Sequence, residues 1–172
     1  MVPGFYIAIV TFPGVIVHEF AHKLFCQITG TKVIKVCYLR FGNPSGYVQH
    51  EPATNVWKYI LIGVGPFVVN TTIGFGIGMI ALMKCFHAGA LGYVGMFLIW
   101  LGVSVAMHSF PSTGDAKYIW SAVWEKGAPI STRLVATPLV VIVLLGALGS
   151  VFWLDLLYGM GIAMGLPKLL FG

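Results

Sequence analysis

Two histidines and a glutamate at a fixed spacing are the residues of this sequence best suited to chemistry. His18, Glu19 and His22 follow the pattern H-E-x-x-H in the segment HEFAH. If the segment is helical, the two imidazoles lie four residues apart on one face and can bind one ion, with the glutamate beside them. This arrangement is typical of a catalytic zinc site. We therefore expect His18 and His22 to be metal ligands and Glu19 to move protons.

The elements that carry this motif must be unusually hydrophobic. The chain has 172 residues, of which 58% are hydrophobic and 9% charged. This fraction of charged residues is too small for the surface of a soluble globular protein of this size. The composition therefore indicates an integral membrane protein. The 22 glycines show no Gly-X-Y period, which excludes a collagen-like chain, and the small number of charges excludes disorder driven by charge.

Four segments are apolar enough to form transmembrane helices. Crossing a bilayer takes about 20 apolar residues, because only a helix satisfies its own backbone groups in lipid. The predicted spans cover residues 2–28, 59–83, 88–107 and 134–154, and Pro13 with Gly14 is expected to bend the first. Residues 156–167, before Lys168, are too few for a fifth span unless they lengthen a tilted fourth helix. We expect an all-α membrane protein, with residues 1–172 forming a single domain and no separate soluble domain.

The loop between the first two spans has a different composition. Residues 32–41, KVIKVCYLRF, are rich in β-branched and aromatic side chains, and residues 42–46, GNPSG, are turn formers before YVQH at 47–50. We predict a short β-hairpin at the membrane face. Because an isolated hairpin is marginally stable in water, it is expected to lean on the membrane or the helices.

Basic residues are distributed unevenly between the loops. Eight Lys and Arg residues lie in or beside the first and third loops, against Lys84 and Lys168 on the other side. Cytoplasmic loops carry the excess of basic residues, so the first and third loops are predicted to be cytoplasmic. The basic residues form no stripe, and we expect no nucleic-acid partner.

A catalytic zinc normally has three protein ligands and one open position, so a third ligand must come from elsewhere. Asp115 follows the third span in HSFPSTGDA, on the side where the histidines are expected, whereas Asp155 falls at the far end of the last span. Other candidates are Glu51, Glu125, His50 and His108. Cys26, four residues after His22, is a conceivable fourth ligand, although a closed four-ligand site is structural, not catalytic.

Taken together, residues from about 5 to 120 resemble the site-2 proteases, a family of intramembrane zinc metalloproteases. That family has HExxH on one transmembrane helix, Gly-Pro with a following Asn on the next, and an Asn-x-x-Pro segment ending in Asp-Gly. This chain has His18 to His22, then Gly65-Pro66 with Asn70, then His108-Ser109-Phe110-Pro111 with Asp115. His108 stands in place of the usual Asn, Ala116 in place of the usual Gly, the Pro-to-Asp spacing is shorter by one, and Asn70 follows Gly-Pro one residue late.

The resemblance implies a mechanism and a set of roles. One Zn²⁺ per chain is held by His18, His22 and Asp115 and activates water, and Glu19 takes the proton and returns it to the leaving amine. Asn70 or His108 is expected to stabilise the oxyanion. The implied substrates are transmembrane segments of other proteins in the bilayer, which must unwind locally and could pair with the hairpin edge.

Two other functions stay open at this point. A different class of membrane zinc protease would use Glu51 or Glu125 as the third ligand. A catalytically inactive scaffold that binds helices, or a metal carrier, would need the histidines but no base, and Glu19 argues against it. For the protease, we expect a multi-pass protein of a prokaryotic cell membrane, with its active site towards the cytoplasm.

Overall fold

The structure is a computed structural model that describes residues 4–88, 92–125 and 129–171, and these residues are mostly helical. In chain order the elements are α1 (Gly4–Val10), α2 (Phe12–Ile28), β1 (Val33–Cys37), β2 (Tyr47–His50), α3 (Val56–Ala88), α4 (Tyr93–Met107), α5 (Thr113–Val123), α6 (Ile130–Gly149), a 3-10 turn (Ser150–Phe152), α7 (Leu154–Met160), a π-helical turn (Gly161–Gly165) and α8 (Leu166–Phe171). The predicted helical class with one small hairpin is confirmed.

Three helices among the described residues are long and apolar enough to cross a membrane. They are Val56–Lys84 within α3, Ile130–Gly149, and the continuous helical stretch Leu154–Phe171. The apolar helix α4 has 15 residues and α2 has 17, so both are shorter than the spans predicted from the sequence. The four predicted spans are therefore not confirmed, and residues 89–91 of the third lie outside the described residues.

The C-terminal third differs most from the prediction. The expected span 134–154 ends early, because α6 stops at Gly149 and the chain turns at Trp153, whose φ is +60°. A new helix then begins at Leu154, so the segment judged too short to cross belongs to an 18-residue helix. Hydropathy averages over such a break, because the residues on both sides of it are apolar.

The first predicted span consists of two helices joined at Thr11. The Thr11 hydroxyl donates to the Ile7 carbonyl at the end of α1. Pro13 stands near the start of α2, where a missing backbone N–H is tolerated. Gly14 follows, and an added Cβ there would overlap the Ser104 carbonyl of α4. The backbones of α2 and α4 therefore touch one turn before His18.

Helices α2, α3 and α4 pack against one another, and α5 packs against α3 and α6. A buried apolar cluster joins α3, α5 and α6. It contains Ile60 from α3, Ile119 and Val123 from α5, and Ala136 and Val140 from α6. This packing brings the start of α5 next to α2. The segment between α4 and α5 is thereby held over the HEFAH motif.

Strands β1 and β2 form the predicted antiparallel hairpin. Cys37 pairs with Tyr47 and Val36 with Val48, and the register shifts between Val33 and Lys35. The turn before β2 rests on the motif itself, since an added Cβ on Gly46 would lie 2.6 Å from Cγ of Glu19. The hairpin therefore covers part of α2.

Candidate metal centre

The HEFAH motif lies in the middle of α2 and presents both imidazoles on one buried face. His18, Glu19 and His22 are each less than one tenth exposed. The Nε2 atoms of His18 and His22 are 3.1 Å apart. The helical spacing inferred from the sequence thus brings two potential metal ligands together in the interior of the protein.

Main-chain carbonyls of two other helical segments hold the imidazoles. Nδ1 of His18 is 2.7 Å from the carbonyl oxygen of His108, at the end of α4, and Nδ1 of His22 is 2.9 Å from that of Ile62 in α3. Because a carbonyl can only accept, each Nδ1 carries a proton and donates it. Each Nε2 is then the ring nitrogen left to bind a metal, which it does when it carries no proton.

Asp115 brings a carboxylate to the same place from α5. Its Oδ2 lies 3.5 Å from Nε2 of His22 and 3.9 Å from Nε2 of His18. Burial alone would raise the pKa of this carboxyl, but the charge of His22 and hydrogen bonds from both histidines hold that pKa well below its usual range. The carboxyl is therefore ionised, as a metal ligand must be.

A capping box at the start of α5 orients this carboxylate. The backbone N–H and the hydroxyl of Ser112 donate to Oδ2 of Asp115, at 2.8 and 2.6 Å. The backbone N–H of Asp115 donates in return to Oγ of Ser112, at 3.2 Å. Ser112 is a residue of the candidate site that was not predicted from the sequence, although the S-x-x-D spacing before a helix signals the capping box.

The three groups fit a zinc ion. With bonds of about 2.0–2.1 Å in a tetrahedral site, neighbouring ligand atoms are about 3.4 Å apart. The separations here are 3.1, 3.5 and 3.9 Å. Two imidazoles and one carboxylate are a donor set that zinc prefers, and they leave a fourth position for water. Within the described ranges, this is the one group of three His, Cys, Asp or Glu side chains close enough to hold an ion.

The alternative ligands lie elsewhere. Glu51 is bound to Lys32, whose Nζ is 3.0 Å from Oε1, and Glu125 is exposed beyond α5. Cys26 is buried on α2 and Asp155 lies at the start of α7, but neither belongs to the cluster of potential ligands. The geometry therefore favours Asp115 over a glutamate as the third ligand.

The two residues expected to stabilise an oxyanion lie in different surroundings. Asn70 is fully buried in α3, and its Nδ2, which has two hydrogens, lies 3.1–3.2 Å from the carbonyl oxygens of Gly14, Val105 and His108. The His108 ring is 2.8 Å from Oγ1 of Thr11 through Nε2. His108 lines the cleft described next, whereas Asn70 is not among the residues that line it.

A cleft of about 1110 Å³ opens onto the cluster. One wall is the hairpin, from Gly42 to His50, and the other is the start of α5, from Pro111 to Asp115. His18, Glu19 and His22 form part of its lining. The potential ligands and the buried residue Glu19 thus share one cleft.

Comparison with known protein families indicates a zinc metallopeptidase. The model of a family described as "Putative zincin peptidase" matches residues 11–128. That range contains His18, Glu19, His22 and Asp115, together with Ser112 and the hairpin. The comparisons with curated proteins and with solved structures found no match.

Proposed function

The chain belongs to the "Putative zincin peptidase" family, and on that premise we propose that it is an intramembrane zinc endopeptidase of the site-2 type. It cuts peptide bonds within or near transmembrane segments of other membrane proteins, close to the cytoplasmic face. The observation that carries the proposal is the cluster of His18, His22 and Asp115 beside Glu19, in a chain with three helices of membrane-spanning length and hydropathy.

Zinc would be held by His18, His22 and Asp115, and one ion is expected per chain. When bound, zinc lowers the pKa of a water molecule to about 7 and polarises the scissile carbonyl. The protein supplies preorganised ligands for this chemistry. The carbonyls of His108 and Ile62 keep both imidazoles in the metal-binding tautomer, and Ser112 holds the carboxylate of Asp115.

Glu19 is the proposed general base and acid. It is buried, lines the cleft, and lies next to His18 on the same helix. Its carboxylate accepts a proton from the attacking water and passes it to the leaving amine. The contact with Gly46 limits the rotamers of the Glu19 side chain, which favours one orientation. His108 lines the same cleft, but its one ring proton is donated to Oγ1 of Thr11, so we assign the oxyanion to the bound zinc and not to the His108 ring.

The shape of the cleft supports an extended substrate. A transmembrane helix has its carbonyls hydrogen-bonded internally, so it must unwind locally before a peptide bond can be attacked. We expect the unwound segment to lie between the hairpin and the start of α5, where it can pair with a free strand edge. Substrates with Gly, Pro or Asn near the scissile bond are favoured, because these residues destabilise a helix.

The excess of basic residues in the first and third loops supports an orientation in which the cleft opens to the cytoplasm. Helix α2 carries the motif and His108 follows the last residue of α4, and both helices lead into those loops. A prokaryotic cell membrane is the proposed location.

Metal removal tests the proposal directly. The detergent-purified full chain is incubated with a library of transmembrane peptides, before and after treatment with a zinc chelator. Cleavage is expected in the untreated protein, is lost with the chelator, and returns on adding Zn²⁺. The variant His22→Phe should be inactive at all zinc concentrations, whereas Lys32→Gln, on the hairpin side, serves as a control that retains cleavage. Wild type that holds no zinc, even when zinc is resupplied, would overturn the proposal.

A further inference from the structure

We infer that Asn70 is a positioning residue of the zinc site, which orients His18 through the carbonyl group of His108. This inference rests on the proposed function, because it assumes that His18 binds zinc. It assigns Asn70 a role different from the oxyanion donor expected from the sequence.

One amide nitrogen joins three helices. Asn70 lies on α3, and its Nδ2 is 3.2 Å from the carbonyl oxygen of Gly14 on α2. It is also 3.1 Å from the carbonyl oxygens of Val105 on α4 and of His108, which caps α4. Because all three neighbours are acceptors, the nitrogen and not the oxygen of the amide must face them. Asn70 is thus fixed in its orientation.

The carbonyl oxygen of His108 connects Asn70 to the candidate zinc ligand His18. It accepts from Nδ2 of Asn70 at 3.1 Å and from Nδ1 of His18 at 2.7 Å. A carbonyl oxygen has two lone pairs and can accept both bonds at once. Because His108 follows the last residue of α4, no helical ladder holds its carbonyl in place. Asn70 therefore sets the position of the oxygen that orients the His18 imidazole.

The other tether of His108 acts on its ring. Oγ1 of Thr11 donates to the carbonyl of Ile7, so it accepts from the Nε2–H of His108. This bond holds the side chain, whereas the bond from Asn70 holds the main-chain carbonyl. The two tethers together keep residue 108 beside α2.

The surroundings of Asn70 leave its amide no part in oxyanion binding. The amide has two hydrogens and three carbonyls compete for them. The residue is completely buried and does not line the cleft where a substrate carbonyl would lie. Its Oδ1 has no hydrogen-bond partner among the described residues. Replacing Asn70 by leucine therefore removes the donor and also an unpaired buried oxygen, which limits the loss of stability.

Zinc affinity, independent of cleavage, tests the inference. The full chain in detergent is titrated with Zn²⁺ against a chromophoric chelator, and the visible spectrum of the Co²⁺-loaded protein reports the ligand geometry. Asn70→Leu is compared with Thr71→Val. Thr71 is the next residue of α3, and its hydroxyl bonds Ser109 and Tyr158 from other segments but not the His108 carbonyl. The control therefore removes interhelical hydrogen bonds without touching the proposed link.

We expect Asn70→Leu to weaken zinc binding about tenfold, the low end of the 10–100-fold cost of losing a direct partner of a metal ligand. Its Co²⁺ spectrum should change, while Thr71→Val retains wild-type affinity and spectrum. Should Asn70→Leu fail to fold, Asn70→Ser, which is small and keeps one hydroxyl, is expected to weaken zinc binding in the same direction.

Three results would overturn the inference. Wild-type zinc affinity in the Asn70 variants, with kcat reduced and KM unchanged, would assign Asn70 to the oxyanion instead. Equal weakening in Thr71→Val would show general loosening of the helix packing. A wild-type protein that binds no zinc would overturn the proposed function as well. If wild type and Asn70→Leu bind zinc equally well, only the inference about Asn70 is overturned.

Discussion

Oδ2 of Asp115 lies 3.5 Å from Nε2 of His22, and the same oxygen accepts two hydrogen bonds from Ser112. The carboxylate is therefore both the cap of α5 and a potential metal ligand. Helix α5 is itself fixed by Ile119 and Val123, which are buried against α3 and α6. The position of Oδ2 of Asp115 thus depends on the packing of α3, α5 and α6 away from the HEFAH motif.

Removal of the carboxylate is expected to remove the metal. In Asp115→Ala, two imidazoles remain, which is fewer than the three protein ligands of a catalytic zinc site. Zinc should fall from about one per chain to a small fraction in elemental analysis of protein purified without chelator. Glu51→Ala is the matched control, because Glu51 is bound to Lys32 outside the cluster and its loss should leave the zinc content unchanged. The opposite pattern would support the alternative in which a glutamate is the third ligand.

The cap itself should contribute to both stability and metal binding. Ser112→Ala removes the hydroxyl that donates to Asp115 and accepts from its backbone N–H. The expected loss is about 1 kcal/mol of folding free energy, typical for an N-cap serine. Since Ser112 also orients a ligand, zinc affinity should fall by roughly 10–100-fold. Thermal unfolding and a chelator titration measure the two effects.

A suitable control for Ser112 is the neighbouring exposed residue Thr113, the first residue of α5. Thr113→Ala should leave zinc affinity unchanged. Equal zinc affinities in Ser112→Ala and the wild type would show that the cap does not orient the ligand.

The role of Glu19 separates proton transfer from metal binding. Glu19→Gln keeps the size of the side chain but removes the base, and it leaves His18, His22 and Asp115 intact. Peptide cleavage is expected to fall by about 10²–10⁴-fold, the usual contribution of a general base, with zinc content unchanged. Full activity in this variant would exclude Glu19 as the base and would revive a metal-carrying function for the cluster.

The grouping of the candidate ligands His18, His22 and Asp115 was partly predictable from the sequence, because some of the patterns that mark it are local. The H-E-x-x-H spacing needs only a helix to bring His18 and His22 together, and Asp115 was suggested by its motif and by the expected side of the membrane. The S-x-x-D spacing of Ser112 was also present and readable. The two spacing patterns depend on neighbours within one helical turn, whereas the approach of Asp115 to the histidines depends on the packing of distant helices.

The parts that escaped prediction depend on contacts between distant segments. The link from Asn70 to the His108 carbonyl requires α2, α3 and α4 to meet at one point, which no single segment encodes. The break at Trp153 lies within a mostly apolar stretch, so hydropathy could not separate α6 from the helix that follows. The approach of the hairpin to α2 likewise became visible only in the packed structure.

The turn before β2 lies close to Glu19 on α2. A Cβ on Gly46 would lie 2.6 Å from Cγ and 2.9 Å from Oε1 of Glu19, closer than such atoms can approach. In Gly46→Ala, either the hairpin must move away or Glu19 must change rotamer. Misplacing a catalytic group by about 1 Å can cost up to 100-fold in rate, so cleavage should fall while zinc content stays at the wild-type value.

Gly42 in the same turn is the matched control. Its added Cβ would meet only Nε of Arg40, at an ordinary 3.8 Å, so Gly42→Ala should retain cleavage. Both substitutions change the unfolded chain in the same way, and neither residue has a positive φ. A difference between the two variants therefore reports the contact with Glu19. If both variants cleave like the wild type, the hairpin moves without displacing Glu19. The contact between Gly46 and Glu19 then does not position Glu19 for the reaction.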